Sequence, residues 1–250
     1  MKILMVNASP KRITSASGYF LGLLNMQMIG CDKKKINLIG GKVYNEIFSY
    51  FNDIDALVIA MPVYVDGIPS HVLRFMTEAE KYCKQFDCKF KLYVITNCGF
   101  YEAKQCRHLL SCMRSFCAAA GLEWGAGIGI GTGEMLSVLR LTPIFELIKL
   151  GLSFPFFLMS GDFAGSLAAY PWIGFCISMS VYTLISSGLF YSIWKLKRFV
   201  RQGKTAPDFF TNTTLIPRFV FTLFANGYWN IRSALHGTGL WNLFRKDTNT

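Results

Sequence analysis

Residues 2–17 read KILMVNASPKRITSAS, an apolar run that stops at an asparagine and gives way to hydroxyls and two cations. Lys2–Asn7 is the short, continuous apolar segment expected of a strand buried on both faces. Ser17–Met28 (SGYFLGLLNMQM) has the length of a helix. Ala8–Ser17 is therefore a strand-to-helix loop, where free backbone N–H groups meet the positive end of a helix dipole. Ser9, Thr14, Ser15 and Ser17 offer hydroxyl donors there, with Lys11 and Arg12 near for charge. That set suits a phosphate, although a Ser or Thr cap on the first helix explains the same residues without a ligand. The loop matches neither GxxxxGK[ST] nor GxGxxG.

The alternation continues outward. Lys35–Ile39, Asp55–Met61 (DALVIAM), Phe90–Thr96 and Glu123–Ile130 read as further strands, and Val43–Phe51, Ser70–Tyr82 and Lys104–Ala120 as helices between them. This predicts an α/β fold with a five-stranded parallel sheet and helices on both faces. Ligands of such sheets bind beyond the carboxyl ends of the strands, which adds two loops to the first. Pro62, Val63, Tyr64 and Val65 open one whose path two prolines and a glycine restrict. Its backbone can address a flat ring's polar edge and Tyr64 can cover the ring, or Tyr64 is simply a surface residue on a rigid turn. Asn97, Cys98, Gly99 and Tyr101 belong to the other, whose aromatics could equally pack in the core and whose cysteine could be a small buried hydrophobe.

In combination these loops resemble the NAD(P)H-dependent FMN reductase superfamily of flavodoxin-like proteins. ASPKR-x-x-SAS stands where that family has a GSPR-x-x-SNT-like loop, and MPVYVDGIPSHV where it has P-x-Y-x-x-x-x-P before a helix. The NCGFYE loop, the WGAGIGIG strand and the segment Ile216–Trp229 are similar to flavodoxin-like oxidoreductases of anaerobic Gram-positive bacteria. The resemblance covers residues 1–139 well and about 200–245 weakly. It implies FMN as cofactor, NAD(P)H as co-substrate and a small-molecule acceptor such as a quinone or flavin. Ala8 and Ala16 depart from the family's Gly and Asn, and the cysteine cluster of its iron–sulfur branch is missing. No side-chain nucleophile or acid–base pair is expected to act, because the flavin carries the redox chemistry. The rival reading is a flavodoxin-like electron carrier or interaction module with no substrate of its own.

The remainder is unlike a soluble flavodoxin. Phe163–Trp194 contains no Asp, Glu, Lys or Arg, and mean hydropathy over the chain is +0.33. Net charge is +11, and residues 195–250 hold nine of the 26 Lys/Arg against two of the 15 Asp/Glu. Cations beside an apolar stretch suit an anionic membrane face, and no nucleic-acid-binding module is present. Eight cysteines without a CxxC pair, behind an N-terminus that reads as a core strand, suggest reduced thiols. Three scattered histidines suggest no metal site. The expected organisation is a flavodoxin-like domain (1–139), an apolar helical segment (140–200) and a basic tail (201–250) packed near the first domain. The apolar segment should form two long helices, 141–160 and 171–194, as a membrane hairpin or a homodimer element, with Lys195–Arg201 at the membrane surface. The chain is then placed at the cytoplasmic face of a membrane, or in the cytoplasm.

Overall fold

A computed structural model describes residues 1–11, 15–133, 141–214 and 216–237. The first compact unit, Met1–Leu215, alternates strand and helix: β1 (Lys2–Asn7), α1 (Ala16–Gln27), β2 (Asp32–Asn37), α2 (Tyr44–Tyr50), β3 (Ala56–Pro62), α3 (Ser70–Phe86), β4 (Lys91–Asn97), α4 (Arg107–Ala120) and β5 (Glu123–Gly131). Then follow α5 (Leu141–Met159), α6 (Phe163–Ala168), α7 (Trp172–Ile185), α8 (Ser187–Gln202) and β6 (Phe209–Asn212). The second unit, Ile216–Thr250, holds α9 (Arg218–Leu235).

The sheet is parallel throughout, in the order β2-β1-β3-β4-β5-β6. Its first five strands have the flavodoxin-like order 2-1-3-4-5. Alternate residues feed two cores, as the period of a strand dictates. Leu4, Val6, Leu57, Ile59, Leu92 and Val94 pack with side chains of α2, α3 and α4. Ile3, Met5, Val58, Tyr93, Ile95 and Ile128 pack with α1 and α8. On α8, Leu189, Ile193, Leu196 and Val200 form one stripe with no exposed surface. Burying each such side chain stabilises by about 1.5–3 kcal/mol.

Three expectations are corrected. Residues 203–214, expected as part of a basic tail, contain a sixth strand. Asp208 docks it: its carboxylate accepts from Gly127 N (2.9 Å) and Trp124 Nε1 (3.1 Å) and pairs with Arg114 (2.5 Å). Polar residues flanking a four-residue strand hide it from hydropathy, and long-range bonds make it. The second strand begins at Asp32, earlier than read, because edge lysines of β2 mask its pattern. The expected helix 171–194 is two helices, bent by 61° at Ser186. A Cβ on Gly188 would overlap the Asn212 carbonyl, and Leu189 N donates to Thr213 O (3.3 Å). The missing side chain of Gly188 lets the end of β6 approach α8 closely, where the chain turns onto the sheet. Lys195 and its neighbours consequently sit on a core helix, with Lys195 Nζ 4.3 Å from the Phe209 ring centroid.

The insertion α5–α7 leaves large apolar side chains exposed, among them Leu152, Phe156, Met159, Ile173 and Leu184. Among the described residues, α5 is the one single helix long and apolar enough to cross a membrane. Its buried Glu146 pairs with Lys149 at 2.9 Å. A Tyr19–Tyr182 hydroxyl contact of 2.9 Å joins α7 to α1.

Candidate functional site

The loops after β1, β3 and β4 lie side by side because their strands are sheet neighbours. Ala8 N donates to Ala60 O (2.8 Å), and Val63 N to Asn97 O (2.8 Å). With strands about 4.8 Å apart, the three loop mouths span roughly 10 Å.

In the first loop, Ser15 caps α1, its Oγ accepting from Gly18 N at 2.9 Å. Asn7 Nδ2 also donates to it (3.5 Å) and to Asn37 Oδ1 (2.9 Å), while Asn7 Oδ1 accepts from Ser9 N (3.3 Å). Ser9 Oγ accepts from Lys11 N at 3.3 Å. Ser17 is turned inward, its hydroxyl donating to Asn97 Oδ1 at 3.1 Å. Lys11 is exposed. Arg12 and Thr14 lie outside the described residues.

The second loop is a tight hairpin in which Tyr64 N donates to Gly67 O (3.2 Å) and Gly67 N to Tyr64 O (3.0 Å). Val65 and Asp66 at its tip are both left-handed, φ 47° and 56°. A β-branched residue there costs about 1–3 kcal/mol and is held only by its surroundings. Pro62 and Val63 sit at the root of this hairpin, with Pro62 in register with Asn97. Tyr64 is 41% exposed and Val65 fully so.

In the third loop Gly99 and Phe100 are exposed, Tyr101 is half-buried, and Asn97 and Cys98 are buried. A hydrogen bond with the Cys106 thiol holds Cys98 below the ordinary thiol range, and the same contact with burial pushes Cys106 up. Cys98 is thus a buried hydrogen-bonded thiol, and Phe100 is the aromatic presented outward.

Four further residues organise the site. Asn7 and Asn37 brace the first loop. His71 Nε2 lies 3.1 Å from Ala8 O and joins the first loop to α3. Thr132 follows β5 in a left-handed conformation (φ 60°), wholly buried, with its N–H on Phe100 O (2.7 Å) and its Oγ1 accepting from Thr213 N (3.1 Å). Sequence could have hinted at Asn7, a polar residue closing an apolar strand; the others act through long-range partners.

The FMN implied by the loop sequences fits on the chemistry of the donor set. Ser9 and Ser15 oxygens each accept from a backbone N–H, and neither hydroxyl donates to any acceptor among the described residues. Two O–H groups left to donate at the N-terminus of a twelve-residue helix suit an anion. Gly133 adds a close-packed wall, since a Cβ there would lie 2.8 Å from Asn97 Nδ2 and 3.0 Å from Cys98 O.

No protein-family model matches the chain, and no curated protein matches it. Solved structures do. The Trp repressor binding protein of Bacillus subtilis aligns at 15% identity and TM-score 0.44, over 50% of this chain and 85% of that one. An apo NADH:FMN oxidoreductase aligns at 14% and 0.43, over 52% and 75%. A Streptococcus pneumoniae flavodoxin aligns at 15% and 0.39, over 51% and 81%. By its strand order and two-faced helical cover, the chain has the flavodoxin-like α/β fold.

Proposed function

We propose that the chain binds FMN across the loops after β1, β3 and β4 and passes electrons from NAD(P)H to a small acceptor, such as a quinone or flavin, at a membrane surface. The observation that carries this reading is the pair of hydroxyls, Ser9 and Ser15, at the start of α1, whose oxygens accept from backbone N–H groups and whose O–H groups have no acceptor among the described residues. Bound FMN would supply a two-electron acceptor for the hydride of NAD(P)H, and the reduced acceptor would leave with those two electrons and two protons, one from the hydride and one from solvent. Ser9, Ser15 and Lys11 hold the phosphate. Pro62–Val65 and Asn97–Tyr101 flank the ring, with Tyr64 and Phe100 as the aromatic covers and Gly99 allowing close backbone approach. Ser17, engaged with Asn97, positions the third loop against the first. The resemblance to oxidoreductases of anaerobic Gram-positive bacteria, carried by the NCGFYE loop, the WGAGIGIG strand and Ile216–Trp229, belongs to this reading.

The membrane part rests on the insertion. Nineteen residues of α5 rise about 28 Å, close to the ~30 Å hydrocarbon core. Its two charges neutralise one another. The fourteen residues of α7 rise only about 21 Å, and α8 is committed to the sheet. The insertion thus meets the bilayer with α5 and α7 as an embedded projection, not as two equal spanning arms.

The second reading, an electron carrier without its own substrate, is favoured by that same exposed face, which offers a docking surface. Full-length protein loaded with FMN separates the two. Quinone-dependent loss of NAD(P)H absorbance, faster than with free FMN, supports the enzyme; a flavin reduced only by an added reductase supports the carrier.

A further inference from the structure

Helix α9 carries a surface that the flavin chemistry does not use. Phe224, Tyr228, Ile231 and Leu235 recur at the helical period along one line, with Leu223 at its edge and Phe219 near the polar side. Phe219, Leu223, Phe224, Ile231 and Leu235 are each at least 60% exposed. Thr222, Asn226 and Ser233 run along the other side. At the border, Arg232 Nη1 donates to Tyr228 Oη (2.9 Å), and its guanidinium lies 5.6 Å from the Trp229 ring centroid. Between Asp208 and Asp247 the sequence has no acidic residue, whereas Arg218, Arg232, Arg245 and Lys246 are basic.

We propose that α9 lies in the plane of an anionic bilayer surface, with Phe224, Ile231 and Leu235 in the acyl boundary and Arg232, Trp229 and the Tyr228 hydroxyl at headgroup level. An amphipathic helix with aromatic and aliphatic residues on one side and cations at the edge partitions in this orientation. Crossing the bilayer would strand Asn226 and Asn230 at mid-depth without water. Charge decides the occupant. A second copy of α9 would bring cation against cation with no carboxylate on either helix, and an anionic lipid surface supplies the missing complement. The inference goes beyond the flavin reading and does not depend on it, nor on how the insertion meets lipid.

The test uses full-length protein floated with vesicles of phosphatidylcholine alone and of phosphatidylcholine mixed with phosphatidylglycerol. Wild type should bind the anionic vesicles about ten-fold more tightly or better. Arg232→Glu should lose most of that preference, and Leu223→Asp/Ile231→Asp should lose all of it, with circular dichroism unchanged because these positions are exposed. Phe156→Asp, on α5, should weaken binding to both vesicle types alike and leave the preference intact, which keeps the two contacts distinguishable. Equal wild-type binding to both vesicles, or a preference that survives the α9 variants, overturns the proposal. So does failure to float on either, whether the protein is monomeric or forms a dimer that Leu223→Asp/Ile231→Asp splits.

Discussion

Ile177 and Ile193 occupy consecutive helices within one uncharged stretch; Ile193 has no exposed surface, and Ile177 is 59% exposed. The difference lies in what surrounds them. Helix α8 has an apolar stripe opposed by Lys195, Lys197, Arg198 and Arg201, and the stripe closes one face of the sheet. Helix α7 is apolar nearly all round, as in a helix sunk in a large core or in lipid. The sheet is already covered on that side by α1 and α8, so α5 and α7 find no sheet surface left. Equal hydrophobicity thus serves folding in one helix and leaves an unfilled surface in the other.

Charges placed in the two helices should break or sharpen this contrast most. Ile193→Asp buries an unpaired carboxylate and should cost about 3–5 kcal/mol, whereas Ile177→Asp should stay within about 0.5 kcal/mol in detergent-free buffer. Urea denaturation of both variants measures the gap, and equal costs would dissolve the distinction. Glycines give a smaller version of the experiment. Gly188→Ala overlaps the Asn212 carbonyl and should destabilise by about 1–3 kcal/mol. Gly174→Ala, with nothing within 4 Å, should stabilise α7 by up to about 1 kcal/mol. Thermal melts should therefore move in opposite directions.

Smallest is the tether that holds α8. Tyr93 Oη donates to Phe199 O (3.3 Å) and Lys204 O (3.2 Å), and burial pushes its pKa up to about 12. Tyr93→Phe should cost about 1 kcal/mol at neutral pH. A phenol that ionises near pH 10 when unfolded and about 12 when folded binds more protons in the native state over that interval. Its contribution is full below about pH 10 and declines as pH rises toward 12, so the difference between wild type and Tyr93→Phe should shrink across that window. A difference that stays constant to pH 12 would remove the buried phenol from the account.

The lysines of β2 hid where that strand begins, while four strands and the helices of the first 130 residues were legible because each apolar run has the length and period of its element. β6 was not: Phe209–Asn212 pairs with β5 through Asp208 and its partners on β5 and α4, none of them local. The break at Ser186 was not legible either, because the contacts beside it, of Gly188 and Leu189 with Asn212 and Thr213, are long-range. At the site, Ser15 was readable as a cap before a helix, and Ser9 as a hydroxyl of the loop that precedes it. Ser17 was readable only as a hydroxyl; its bond to Asn97 crosses eighty residues. Thr132 carries no local mark, because its left-handed backbone is held by Phe100 and Thr213.

The central claim, a phosphate site at Ser9 and Ser15, is tested most directly by titrating full-length protein with FMN and with riboflavin, followed by quenching of flavin fluorescence. Wild type should prefer FMN by about ten-fold or more, since each charge-assisted bond contributes about 1.5–3 kcal/mol. Ser9→Ala/Ser15→Ala should bring the two affinities together while leaving riboflavin binding and the circular dichroism spectrum nearly unchanged. A wild type that binds riboflavin as tightly as FMN, or a double variant that keeps the full preference, would contradict the account.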